Sequence, residues 1–311
     1  LLMCYLLPSV LSSLGIIAPE WITVGEYGTI KEGNSSLYYM ASRYLLPAAL
    51  VLMTLSIDLK AVFNLGPKAL IMFLTGTLGI VIGGPIAILI IGSFSPETVG
   101  GEGYDAVWRG LSTLAGSWIG GGANQTAMLE VYQFNQAKYG GMVLVDIVVA
   151  NLWMGILLFG IGKAVKIDRW FGADSSAIED LKKRVSDYTA SVKREATFTD
   201  TMVMLGIGFG AVAIAHYGAN YLSDLMSGME GISKNIYLSF LTSQFFWMIS
   251  IATFIGILLS FTPAKSYEGT GASKIGSIFI YVLVATIGMK MDLTMIFDNL
   301  GLLAIGLIWM S

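Results

Sequence analysis

Apolar residues run in unbroken stretches near 1–18, 38–58, 68–94, 104–127, 140–165, 199–222, 236–262 and 275–290, and another stretch opens near 299. A helix rising 1.5 Å per residue needs about 20 such residues to cross a bilayer's hydrocarbon core, and most of these runs are of that length. They lack the short alternating segments of a membrane barrel, and irregular backbone cannot face lipid, so the pattern predicts helices and not strands. Residues 174–195 differ: acids and bases alternate there, with Ile178, Leu181 and Val185 at helical spacing. That segment reads as an amphipathic connector outside the hydrocarbon. The expected fold class is an all-α polytopic membrane protein with a first transmembrane repeat at 1–165, a cytoplasmic connector at 166–198 and a second repeat at 199–311.

The repeat is read from matching positions. Asp58-Leu59-Lys60-Ala61-Val62-Phe63 parallels Asp292-Leu293-Thr294-Met295-Ile296-Phe297, each after one apolar run and before the next. Weaker counterparts precede them, Pro19 with Pro263 and 44–57 with 279–291. Duplicated halves are common in membrane transporters.

Charge then suggests sidedness. Lys60 and Lys68 flank the turn after the second run, and 163–195 holds eight bases, from Lys163 and Lys166 to Lys193 and Arg194, whereas 95–105 holds Glu97, Glu102 and Asp105 and no base. Basic loops stay in the cytoplasm, which puts 60–68 and 163–195 inside and 95–105 outside. An odd number of crossings must separate 95–105 from 163–195, yet two runs lie between them. The run at 104–127, whose second half is polar and glycine-rich, is expected to enter and return to one face. The same count places Asp58 inside and Asp292 outside, so the repeats are expected to be inverted.

Composition narrows the chemistry. Of the 311 residues 55% are hydrophobic and 13% charged, about half the charge of an ordinary soluble chain. One cysteine, Cys4, and one histidine, His216, exclude an intrachain disulfide and any cysteine- or histidine-rich metal cluster. No basic leader precedes the first run, and the numbering is expected to begin inside a longer chain.

The most informative stretch is Ser117-Trp118-Ile119-Gly120-Gly121-Gly122-Ala123-Asn124-Gln125-Thr126. Each of three successive glycines costs roughly 1 kcal/mol in a helix relative to alanine, and together they open it. Opening a helix at membrane depth frees carbonyls on one side and N–H groups on the other. The carbonyls suit a small cation, with sodium expected near Gly120 and Asn124, and the N–H groups suit a carboxylate or similar anion. Ser117, Asn124, Gln125 and Thr126 add neutral donors and acceptors; the bland reading of the same stretch is an extracellular loop with a glycine turn. Lacking a preceding strand and a following lysine, the glycines are not a nucleotide-binding signature.

Asp146 lies in the run at 140–165 and Asn151 follows five residues on. An ionisable group there reads either as an ion-coupling residue or as a carboxyl at the interfacial end of its helix; Asn151 reads as a ligand or as interhelical glue. His216 could relay protons or sit at the membrane interface. Asp58 and Asp292 read as helix-terminus residues, and Phe245-Phe246-Trp247 as bundle packing.

Residues 116–125 and Tyr281-Val-Leu-Val-Ala-Thr-Ile-Gly-Met-Lys-Met-Asp292 resemble the DUF819 (YjcL-like) family of bacterial integral membrane proteins across nearly the whole chain. That family is itself similar, distantly, to the group of sodium/proton antiporters and bile-acid-type sodium symporters. The resemblance implies two inverted repeats with broken helices at the substrate site, the first at 116–128, and a second such element beyond Ser311. Relatives draw the broken helix as a full crossing, against the charge count above. The expected function is secondary transport of a small, anionic solute coupled to sodium or protons in the bacterial plasma membrane. The alternative is an uncoupled channel or facilitator, and after it a membrane-embedded enzyme, for which no base–nucleophile pair is evident. No cofactor is expected beyond a bound sodium ion. Expected partners are lipid, the solute, the coupling ion and a second copy of the chain, with no nucleic acid.

Overall fold

A computed structural model describes residues 2–18, 20–24, 30–34, 36–55, 57, 66–161, 194–235, 238–291 and 299–311, with isolated positions between 163 and 186. Its helices in chain order are α1 (Leu2–Ser13), α2 (Leu37–Met40), α3 (Leu46–Leu55), α4 (Gly66–Phe94), α5 (Val107–Gly120), α6 (Gly122–Tyr132), α7 (Tyr139–Ile161), α8 (Phe198–Ser227), α9 (Gln244–Ser260), α10 (Ala272–Gly288) and α11 (Gly301–Met310). Every expected apolar run carries a helix. Among the described residues α4, α7 and α8 are long and apolar enough to cross a membrane as single rods, and Gln244–Leu259 with Pro263–Thr270 forms a further element bent by 97°. Outside the apolar runs, Glu20–Val24 and Ile30–Asn34 pair antiparallel, Glu20 opposite Asn34 and Val24 opposite Ile30. This segment lies between the apolar runs at 1–18 and 38–58, outside the stretches that lipid would confine to helix. Asp58, Asp292 and most of the 166–198 connector lie outside the described residues.

The chain forms two compact units that each draw on both of its halves. The first comprises Leu1–Ile57, Glu130–Lys138 and Arg194–Thr294. At its centre is α3, whose Leu46, Ala48, Ala49, Val51, Leu52 and Leu55 are all fully buried. A helix apolar on all sides belongs inside a bundle, and α3 packs against α8, α9 and α10. Small residues permit the approach: a side chain at Gly276 would meet the Ala49 carbonyl at 3.1 Å, and one at Gly256 would meet Val51 Cα at 3.1 Å. Close backbone packing of this kind supplies the attraction that water supplies in soluble proteins.

This unit has two distinct ends. At one, Leu55, Met204 and Ala272 share an apolar cluster, and Arg194 clasps Asp200 at 2.7 and 3.0 Å. Asp200 also completes a capping box with Thr197 at the start of α8, satisfying otherwise orphaned N–H groups. At the other end, Ser9 donates to the Met291 carbonyl at 3.3 Å. There too a π-helical turn, Ala41–Leu45, joins α2 to α3. Its cause is in the sequence. Pro47 has no N–H to offer the carbonyl four residues back, that of Arg43, and His216 of α8 meets that oxygen at 2.9 Å through Nε2. A carbonyl only accepts, so this ring nitrogen carries the proton.

The second unit comprises Asp58–Leu129, Tyr139–Lys193 and Met295–Ser311. Here α11 packs on α4 and α7, and α5 on α4 and α7. Trp309 lies on a flat seat made by Gly83 and Gly84, where added side chains would meet its ring at 2.8 and 2.7 Å. Its indole N–H donates to the Ile80 carbonyl at 2.8 Å, one turn and a residue before Pro85 of α4.

Candidate functional site: an opened helix beside Asp146

The run at 104–127 is two helices and not one. Gly121 separates α5 from α6 with φ 81° and ψ −174°, a backbone region open essentially to glycine alone. Among the described residues two backbone hydrogen bonds bridge the break, Gly121 N–H to the Ser117 carbonyl at 2.7 Å and Gln125 N–H to the Gly121 carbonyl at 3.0 Å. The second half turns back along the first. A side chain at Gly116 would lie 2.9 Å from the Asn124 carbonyl and 2.8 Å from Met128 Cγ, whereas residues eight and twelve apart on a straight helix are separated by about 12 and 18 Å. Asn124 lays its amide against Gly120, where no Cβ stands in the way.

The end of α5 presents its side chains to α7. Ser117 Oγ donates to Asp146 Oδ2 at 2.9 Å, and Trp118 Nε1 donates to Asp146 Oδ1 at 2.8 Å. Gln125, almost fully buried on the first turn of α6, also addresses this carboxyl, although its amide nitrogen stops short of hydrogen-bonding geometry. Trp118 is held in turn by Trp309, ring centroids 4.9 Å apart and planes at 59°. Gly83 and Gly84 thus seat Trp309, Trp309 supports Trp118, and Trp118 orients Asp146.

The two carboxyl oxygens differ in kind. An indole N–H can only donate, so Oδ1 is fixed as an acceptor. The Ser117 hydroxyl at Oδ2 can donate or accept by rotating, so this oxygen can hold or release a proton without moving the heavy atoms.

The structure brings together Ser117, Gln125 and Asp146 from the sequence-predicted set, beside the break formed by Gly120, Gly121 and Gly122. Asn124 packs on Gly120 at the same bend. Thr126 is fully buried and spends its hydroxyl on the Gly122 carbonyl at 2.7 Å. Asn151 is on the exposed face of α7 and donates to the Ile147 carbonyl at 2.7 Å; at five residues' spacing it points away from Asp146. His216 belongs to the first unit and caps the π-helical turn. Sequence reading did not assign a role to Trp118, although an indole N–H next to Ser117 was visible in the same motif. It also passed over Arg43, whose charge inside the run at 38–58 was the available signal. Among the described residues no three His, Cys, Asp or Glu side chains converge on a metal-sized site.

Comparison with known proteins agrees with the membrane reading. The uncharacterized membrane protein YjcL of Bacillus subtilis (strain 168) is 22% identical over 281 residues, which cover 87% of this chain and 64% of that protein. The chain therefore spans somewhat less than two thirds of the curated relative it matches. No solved structure matches it. Residues 1–311 match the family described as protein of unknown function DUF819, and with its apolar helices the chain belongs to that family of multi-pass membrane proteins.

Proposed function

We propose that the chain is part of a secondary transporter that moves a small anionic solute coupled to sodium or protons, with inverted halves exchanging access to the opened helix. The observation that carries this reading is the break at Gly121 placed beside the Asp146 carboxyl. Broken helices of this kind bind ions and solutes in transporters because their free backbone groups need partners. Asp146, the Ser117 hydroxyl and the carbonyls at the end of α5 offer one negative charge among neutral oxygens, which suits a monovalent cation or a proton. The first turn of α6 offers N–H groups to an anion.

The test is uptake of labelled small monocarboxylates and amino acids into proteoliposomes under separately imposed sodium and proton gradients. One gradient is expected to drive accumulation, and Asp146→Asn is expected to abolish the coupling while the protein stays folded. Equal uptake with neither gradient, no accumulation with either, and no effect of Asp146→Asn would replace this reading with a channel or facilitator.

A further inference from the structure

The end of the first unit remote from Arg194 holds charges that play no part in the Gly121 break. Arg43 projects from the π-helical turn, with Nη1 3.3 Å from Glu130 Oε2; the Glu130 side chain is 9% exposed and that of Arg43 30%. The guanidinium lies over the Phe245 ring at 4.5 Å. Lys290, just beyond α10, lies over the Tyr38 ring at 4.6 Å and is close enough to act on the Glu130 charge. Gln136 is a further polar neighbour of Glu130, with its Nε2 3.5 Å from Oε1.

Donors outnumber acceptors here. Buried Arg43 Nη1 makes no hydrogen bond, its approach to Glu130 being electrostatic only, and the buried Tyr38 hydroxyl has no hydrogen-bond partner among the described residues. Among the described residues two cations, Arg43 and Lys290, face the one carboxylate of Glu130, a surplus of one positive charge. The aromatic faces hold both cations in place without neutralising them. A guanidinium paired with a carboxylate normally engages it through two parallel hydrogen bonds, and Glu130 does not reach that geometry.

We propose that Arg43 and Lys290 form a binding site for a carboxylate monoanion, in which Glu130 is the resident counter-ion that the incoming carboxylate displaces. The planar guanidinium matches the two oxygens of such a ligand, the surplus charge matches its single negative charge, and Tyr38 supplies a further donor. The contact between His216 and the Arg43 carbonyl fixes the backbone from which the guanidinium projects. Glu130 lies near the end of α6, but this proposal uses no group of the Gly121 break and does not depend on the transport reading.

The test follows the melting temperature of the full chain in neutral detergent during titration with sodium acetate and sodium benzoate, against sodium chloride at equal ionic strength. A saturable rise with the carboxylates beyond that with chloride is expected. Glu130→Gln removes the competing carboxylate and is expected to lower the half-saturating concentration about tenfold, whereas Lys290→Gln raises it by about as much. Arg43→Lys keeps the charge but loses the fork and is expected to abolish the effect; if that variant does not fold, the half-buried Lys290 still reports. Absence of a saturable carboxylate effect overturns the proposal. So does weakening by Glu130→Gln alongside Lys290→Gln, which marks a purely structural ion network, and so does stabilisation by phosphatidylglycerol but by no soluble carboxylate.

Discussion

Pro47 leaves the Arg43 carbonyl without its helical partner, and His216 supplies the missing donor from another helix. An unsatisfied buried carbonyl costs roughly 1–3 kcal/mol, so His216→Leu should lower stability by about that amount. His216→Gln, whose amide can still donate, should cost less. The two residues should be coupled. In a Pro47→Ala background the helix regains an N–H for that oxygen, and the cost of His216→Leu should shrink. Thermal unfolding of the four combinations measures the coupling directly. Sequence displayed Pro47, Arg43 and His216 separately, but Arg43 and His216 are 173 residues apart. No local pattern announces that one repairs what the other lacks. Asp146 is a contrasting case, because a carboxyl inside an apolar run identifies itself, although its Ser117 and Trp118 partners do not.

The element most legible in the sequence was the opened helix. Three glycines in an apolar run mark where it breaks, at Gly121. Which glycine bears the strain was not legible, since all three have the same conformational freedom and only Gly121 uses it, at φ 81°. Gly121→Ala is expected to cost about 1–3 kcal/mol. Gly116→Val should cost more and stop uptake, because the obstacle is the Asn124 backbone carbonyl at 2.9 Å and not a side chain that can swing away. The reversal itself is testable with single cysteines in a Cys4→Ser background. Cysteines replacing Trp108 and Gln133, near the two outer ends of α5 and α6, should both react with an impermeant maleimide from one side of the membrane; reaction from opposite sides would make the pair a full crossing. Thr126 and Asn151 were less legible because a polar side chain in a helix can turn its hydrogen bonds onto its own backbone, as both do.

Across the whole molecule the two ends of the first unit bear on the expected topology. Leu55 sits at the end marked by Arg194 and Asp200, whereas Glu130 sits at the opposite end with Arg43. Among the described residues between Leu55 and Glu130 the chain contains α4 and the α5–α6 pair, and the expected topology requires an odd number of crossings there. If α4 is one crossing, the pair contributes none. Labelling of introduced cysteines near 100, 180, 228 and 292 should place 180 in the cytoplasm and the other three outside. Reaction of position 180 from outside would remove the basic-residue argument together with the topology built on it.

Because the Trp118 indole N–H is tied to a carboxylate and its ring leans on Trp309, the candidate site carries its own optical label. Indole emission shifts when the charge or hydrogen bond at its nitrogen changes, and here that nitrogen reports on the one acidic group that the coupling reading makes central. Titration with sodium or protons should therefore change tryptophan fluorescence in a saturable way. The change should vanish in Trp118→Phe and in Asp146→Asn, while Trp247, bound to a backbone carbonyl at 2.7 Å in the other unit, should remain silent. A signal that survives both substitutions would show that the ion acts elsewhere. Its loss in both would let occupancy be followed before any transported solute has been identified.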